Sequence, residues 1–452
     1  MRGMKREGFF RGVQACVGAM ALCVLVLFNS CNQSPQSALI WTDIPELVVA
    51  AQLFNRENDQ FAVDVEYKEN AATALMKTNK PPSLIIAKFL LSKPVIRKLD
   101  PLDDLFSRYY VDPNDMYSAL LDAGKQGVQQ ILLPVSFDCM VLVERKSDSL
   151  GAGASMLDLD AIREAGDKFT RTEKGVLSAM GFSSVWNMEF AESWLLAQDA
   201  GFSPNPNWKQ TSVPKSGDAK TWPLLWNKDR LEQSVLALNS LDSKVKKDDA
   251  DAFAFSYFNK PGYQLVLENR VLFWPMKASD FFKLPYSAKS QLRYRYPAAN
   301  QKLILTEGTR YLGVPKGAKG KKAAFAFSKW LLTPANQEKI WKEMETQRLL
   351  PDHVGPLDGF SSLKQTNETV LSRYFPEYAQ NKIVAGTLRS PVALPDYWDS
   401  FSRDFFWVWL KTMLTSGEGT ESDAQKGTIG EDFQASFEQY LGTMPDWLAS
   451  SR

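Results

Sequence analysis

The chain has 452 residues, with 53 Lys and Arg against 52 Asp and Glu and a single histidine, His353. A formal charge of +1 leaves no electrostatic footprint for nucleic acid. One histidine argues strongly against His-rich zinc sites and against Ser-His or Cys-His catalytic pairs, and the residue itself, beside Pro351 and Asp352, reads as a surface loop residue.

The N-terminus carries Arg2, Lys5, Arg6 and Arg11, followed by an apolar run of 14 residues from Ala15 to Phe28, then Ser30 and Cys31. That order of basic, apolar and small residues is signal-peptide architecture. The run is shorter than the roughly 18 residues a spanning helix needs, so residues 1–30 are expected to be removed, with Cys31 as the lipidated residue. The stretch LFNSC at 27–31 resembles a relaxed lipobox, with Phe28 three places before the cysteine and Leu27 one place further out. Cleavage without lipid and a retained anchor stay as alternatives. Removing the segment takes away a net +3, so the mature chain of 422 residues carries −2. Of the four cysteines, Cys16, Cys23 and Cys31 fall at or before the cut, which leaves only Cys139 in the folded part and no partner for an internal disulfide. In its apolar setting Cys139 reads as a small buried hydrophobe rather than a nucleophile. A mature chain of this length exceeds a single core, so two or three domains are expected.

After a linker at 31–37, strand, helix and strand patterns follow in turn at 38–42, 45–55 and 61–67, with Leu47, Val48, Ala51 and Phe54 at helical spacing. Strands alternating with helices imply an α/β sheet. The run SLIIA at 83–87, after Pro81 and Pro82, suits a strand covered on both faces. The stretch LDPLDDL at 99–105 leads into a helical stretch at 115–124. The segment 131–145 is long and β-rich, and Pro134 would interrupt it as one central strand. A crossing from one lobe to another there resolves the conflict.

Helices are predicted at 157–165, at 187–200 with Gly201 behind it, and at 229–241; strands are predicted at 270–276 and 291–296. From Thr309 a strand passes into the basic turn PKGAKGKK at 315–322, and an apolar helix follows at 323–332. Thr333 is the predicted N-cap and Pro334 the first residue of the next helix, which runs to about Glu345. The Lys-Gly pairs at 316–317 and 319–320 are out of register for a phosphate loop, so a solvated turn is favoured. The C-terminal hundred residues read as helical and aromatic, with a loop at 417–419 and no internal repeat.

This order of blocks resembles the carbohydrate-type extracellular solute-binding proteins of ATP-driven importers, the family of maltose-binding protein, over most of residues 38–350. The resemblance is carried by GVPKGAK at 313–319, AAFAFSKWLLTPANQ at 323–337, Leu350 and Pro351, LDPLDDL at 99–105, and Leu133 and Pro134 with the strand behind them. The chain departs from the family at 143–146, VERK where Tyr-Asn-Lys is common, and at 270–276, RVLFWPM where a Gly-rich turn is common. The second departure falls near the ligand's place and leaves its identity open.

The resemblance implies a class II-like periplasmic-binding-protein fold: two α/β lobes, a hinge between them and a helical C-terminal region. Lobe 1 would comprise 38–134 with 291–331, and lobe 2 would comprise 135–290 with 332–452. It further implies solute capture in the cleft, closure by hinge motion, no cofactor and no catalysis. Its partners would be a permease and its ATPase, and the chain would act as a monomer held by its N-terminal lipid at the periplasmic face of the inner membrane, surface exposure being the alternative.

A sugar site needs an aromatic face for C–H surface and fixed partners for hydroxyls. Candidates are Trp41, Thr42 and Asp43 at the end of the first strand. Ser136, Phe137 and Asp138 lie on the crossing; Trp186 and Asn187 start a helix, Trp274 and Met276 end a strand, and Gly308, Thr309 and Tyr311 open the later strand. Core packing competes for each tryptophan and is favoured for Trp222, Trp226, Trp407 and Trp409. Asp43 and Asp138 as a glycosidase pair is the weaker reading, since sequence supplies no carboxylate separation. Other readings are a non-sugar solute (phosphoester, peptide or polyamine) or a surface lipoprotein that binds a macromolecule.

Overall fold

The computed structural model describes residues 35–148, 154–206, 208, 222–349, 354–415, 428–443 and 445. The signal segment, Cys31, Pro351, His353 and the loop at 417–419 lie outside the described residues. Among those described, no helix is long and apolar enough to cross a membrane.

The chain opens with β1 (Gln36–Thr42), α1 (Leu47–Glu57), β2 (Phe61–Tyr67), α2 (Ala71–Lys77) and β3 (Leu84–Ala87), matching the expected alternation. β1 begins inside the stretch read as linker, because Gln36 and Ser37 pair with Phe61 and Ala62 of β2. β1 is parallel to both β2 and β3. All four residues of β3 are buried, as its unbroken apolar run demands.

The β-rich segment splits into β4 (Leu133–Phe137) and β5 (Met140–Arg145). Pro134 sits inside β4 opposite Tyr311, where the partner strand has a register shift between Arg310 and Tyr311. A bulge absorbs a residue that has no N–H to give. β5 joins a second sheet whose next members are β6 (Trp274–Lys277) and β7 (Leu292–Ala299), and the chain returns to the first sheet as β8 (Arg310–Pro315) and later β9 (Phe360–Ser361). The first sheet runs β9-β4-β8-β3-β1-β2, with Leu99–Asp100 beside β8; the second runs β6-β5-β7 and on to Lys302–Leu303, with Met156–Leu157 beside β7. Each sheet is the floor of one lobe.

Two segments pack elsewhere than the expected grouping has them. Residues 292–299, expected with lobe 1, pair with β5 in the second sheet, and buried Glu144 accepts from both Arg293 and Arg295 at 2.6 Å across that pairing. Helix Pro334–Thr346, expected with lobe 2, lies on α1 through Arg56–Glu343 at 3.1 Å and Lys339–Glu57 at 2.9 Å, and Ile340 and Met344 enter the first lobe's core. Thr333 takes the expected N-cap position in extended conformation, but its hydroxyl donates to the Lys329 carbonyl and not to the cap.

Only Asp138 and Cys139 separate β4 from β5, and residues 304–309 make the return. The two crossings pair with each other: Met140 N donates to Ile304 O at 2.9 Å and Thr306 N to Asp138 O at 3.1 Å. This two-strand connection is the hinge. Two apolar clusters fill the lobes, while a third joins Trp41, Ala72 and Phe89 of the first lobe to Phe190, Trp194 and Trp398 on the other side.

Candidate functional site

The first lobe presents the end of β1. Trp41, 8% exposed, donates from Nε1 to Glu66 at 2.7 Å, and the Lys68 ammonium lies 4.9 Å above its ring. Thr42 is buried and its hydroxyl accepts from Ile44 N at 3.1 Å. The Asp43 carboxylate accepts from Lys88 N and from Arg310 Nε, both at 2.9 Å, and Arg310 also reaches the carboxylate of Asp358 at 3.1 Å. Asp43 is thereby committed to holding the ends of β1, β3 and β8 together.

The second lobe supplies the aromatic surface. Trp186 and Trp274 stack at 5.8 Å and 12°, and Phe258 meets both edge-on. Gly262 makes room for this stack: a Cβ there would stand 1.8 Å from Trp274 Cε2. Asn187 caps helix α3 (Met188–Ala197) by accepting from Glu189 N and Phe190 N, and its amide donates to Pro275 O at 3.1 Å. Met276 is half-buried on the same strand.

A cluster of charge adjoins this aromatic surface. Lys277 pairs with Glu189 at 2.6 Å. Burial opposes the Lys277 charge, but Glu189 and Glu307 outweigh it and hold its pKa above the ordinary lysine value. Burial, reinforced by Glu307, raises the Glu189 carboxyl above the usual range. Asp138 accepts from Cys139 N at 2.8 Å and Ser279 N at 3.4 Å, yet burial still pushes its pKa up to about 6. One turn along α3, Glu192 accepts from Trp398 Nε1, Ser402 Oγ and Trp407 Nε1 at 2.5, 2.7 and 2.6 Å; burial raises its pKa despite those donors. Among the described residues no grouping of His, Cys, Asp and Glu is suited to a metal ion.

Beside the hinge, a small cavity of about 30 Å³ is lined by Phe89 and Leu91 from the first lobe, Leu196 from α3, Glu307 and Thr309 from the return crossing, and Leu394. Thr309 Oγ1 and Glu307 Oε2 are buried with no protein partner. Gly308 is half-buried, and its N–H donates to the Thr306 hydroxyl at 3.3 Å.

Of the residues singled out in the sequence, Trp186, Asn187, Trp274 and Met276 come together on the second lobe, Asp138 joins them through helix Ala278–Lys283, and Gly308 and Thr309 lie on the return crossing. Trp41, Thr42 and Asp43 lie at the end of β1 in the first lobe, with their polar atoms bonded to Glu66, Ile44, Lys88 and Arg310. Ser136, Phe137 and Tyr311 are enclosed: Ser136 donates to Leu357 O at 2.7 Å, Tyr311 to Leu120 O at 2.9 Å, and Phe137 packs between Tyr117 and Phe360. Trp222 and Trp226 stack at 5.4 Å over Phe437, and Trp409 packs on Phe433 at 4.7 Å. Sequence reasoning passed over Glu189, Glu192, Lys277, Glu307 and Arg310. Two carboxylates three apart in the otherwise apolar MEFAESWLLA are a signal that could have found the first pair.

No protein-family profile and no curated protein matches this chain. Solved structures do. The sugar-binding protein MalE of Xanthomonas citri is 13% identical, over 92% of this chain and 100% of that one, with a TM-score of 0.62. The ABC substrate-binding protein Lmo0181 of Listeria monocytogenes, in complex with cycloalternan, is 14% identical over 90% and 98%, with a TM-score of 0.54. CpMnBP1 with mannotriose bound is 15% identical over 88% and 99%, with a TM-score of 0.53. The chain has the two-lobed, class II-like fold of maltose-type ABC solute-binding proteins.

Proposed function

We propose that this protein captures a sugar or oligosaccharide between its lobes and delivers it to an ABC permease, with no catalysis of its own. The reading rests on the stacked Trp186–Trp274 pair with half-buried Met276 on the second lobe, and on the buried, unpartnered Thr309 hydroxyl and Glu307 carboxylate oxygen at the return crossing. Flat apolar rings and unsatisfied polar atoms fit a ligand with C–H faces and hydroxyls. A ligand that touches both lobes favours closure only by its extra affinity for the closed state. In this reading the mature chain starts at Cys31, is held by its lipid at the periplasmic face of the inner membrane, and works as a monomer. The ligand contacts are Trp41, Trp186, Asn187, Trp274, Met276, Gly308 and Thr309.

A second reading has its own support. Asp138, Glu189 and Glu307 surround one ammonium, Lys277, and their excess negative charge suits a cationic solute such as a polyamine.

Thermal unfolding of the chain from residue 32 in the presence of sugars, sugar phosphates, peptides and polyamines tests both. A ligand at a hundred times its dissociation constant adds about 2.7 kcal/mol, which raises Tm by several degrees. A dose-dependent rise with sugars, abolished by Trp274→Ala, supports sugar capture; a rise with polyamines alone transfers the site to the second reading, and no rise with any class rejects both.

A further inference from the structure

The C-terminal region crosses the cleft before its helices begin. Residues 388–395 have no regular structure, and the short helix Trp398–Phe401 follows. This stretch touches both lobes. Towards the first, the Asp396 carbonyl accepts from Asn70 Nδ2 at 2.5 Å, the Asp396 carboxylate accepts from Thr73 Oγ1 at 3.0 Å, and Asp399 pairs with Lys88 at 3.0 Å. Towards the second, Tyr397 donates to Pro223 O at 2.9 Å, Arg389 pairs with Asp199, and Trp398 donates to Glu192 at 2.5 Å while its ring lies 5.3 Å from Phe202. Leu394 and Val392 line the cavity beside the hinge.

The two attachments differ in kind. On the second lobe, Trp398 is fully buried, and the following residues Ser402 and Trp407 share the same carboxylate. Towards the first lobe, the Lys88–Asp399 side chains keep 19% and 31% of their exposure, and an ion pair that wet contributes little alone. We propose that residues 389–399 form a strap carried by the second lobe and latched to the first at Asn70, Thr73 and Lys88, so that the cleft opens only as the latch releases. The strap works whatever solute the cleft takes. Opening also parts the apolar cluster that joins Ala72 and Phe89 to Leu394 and Trp398; the polar latch groups exchange partners for water while the attachment to Glu192 stays intact.

Hydrogen exchange on the ligand-free chain, read by mass spectrometry, tests this. In Lys88→Met and in Thr73→Val, amides of 396–399 and 74–77 should exchange about tenfold faster while those of 405–410 keep their protection. The charge swap Lys88→Asp with Asp399→Lys should restore the original rates at 396–399, which a merely unstable variant would not do. Unchanged exchange at 396–399 in both single variants overturns the proposal. So does acceleration of 396–399 and 405–410 together, because the strap would then be a part of the C-terminal core and not a latch.

Discussion

Two buried carboxylates, Asp43 in the first lobe and Glu192 in the second, are stabilised by opposite means. In the first, the Asp43 carboxylate is met by the guanidinium of Arg310, itself shared with Asp358, and the surrounding core of Ile40, Leu84, Ile86, Leu312 and Val314 is aliphatic. In the second, Glu192 is met by two indole N–H groups and a hydroxyl, all neutral, and the core around it is aromatic. A full countercharge lets a carboxylate stay ionised when buried. Neutral donors stabilise it less than burial costs, so the Glu192 pKa rises. Asp43 is thus held by ion pairing and Glu192 by a network whose charge depends on protons.

The largest effect is expected where that network converges. Glu192→Leu strands the N–H groups of Trp398 and Trp407 and the Ser402 hydroxyl inside the protein, and should lower stability by about 3 kcal/mol or more. Glu192→Gln keeps an acceptor and should cost about 1 kcal/mol. Denaturant unfolding followed by tryptophan fluorescence compares the two, and equal losses would show that charge rather than hydrogen bonding holds the C-terminal helices. Arg310→Met is the matching test of the first lobe: it leaves Asp43 buried with only the Lys88 amide and should cost about 3 kcal/mol. Adding Asp43→Asn should recover part of that loss, and strict additivity of the two changes would remove the ion pair from the account.

At the hinge, Asp138 sharpens the contrast through pH. Its folded-state pKa of about 6 lies above the model-peptide 3.8, so the folded protein binds that proton more tightly than the unfolded chain. The resulting stability is complete below the unfolded value and is lost as pH rises through 6. Wild type minus Asp138→Asn should therefore show stability falling between about pH 4 and 6, by up to about 3 kcal/mol. A difference that rises with pH would mean that Asp138 is held ionised. Gly262→Ala intrudes on the Trp274 ring and should cost about 2 kcal/mol, with the aromatic near-ultraviolet signal of the Trp186–Trp274 stack altered. A Tm equal to wild type would show that the stack gives way freely. The smallest effect is expected at Lys339→Ala, where the exposed pair with Glu57 contributes at most about 0.5 kcal/mol; a larger loss would make α1 and its neighbouring helix depend on surface charge.

Much of the scaffold was legible in the residues. The β1-α1-β2 alternation, the crossing implied by Pro134, and the basic turn with its apolar helix all follow from local pattern. The sheet that β7 joins was not legible, because a strand's pattern says that it pairs, not with what; β7 found β5, whose Glu144 takes both of its arginines. The candidate site was legible as residue types at strand and helix ends, with Trp186, Asn187 and Trp274 brought together as neighbours. The fate of Asp43 was not, since Arg310 is 267 residues away in sequence.

What each segment can form was readable from local pattern, because periodicity, proline and glycine act within a few residues and need no partner. The apolar setting of Cys139 likewise favoured a small buried hydrophobe, and the residue is fully buried. Which charges pair, which tryptophans donate and which face one another, and the contact of residues 389–399 with both lobes, emerge with the folded molecule. Those outcomes depend on distances between residues tens to hundreds of positions apart, and it is the packing of two cores against one hinge that sets such distances.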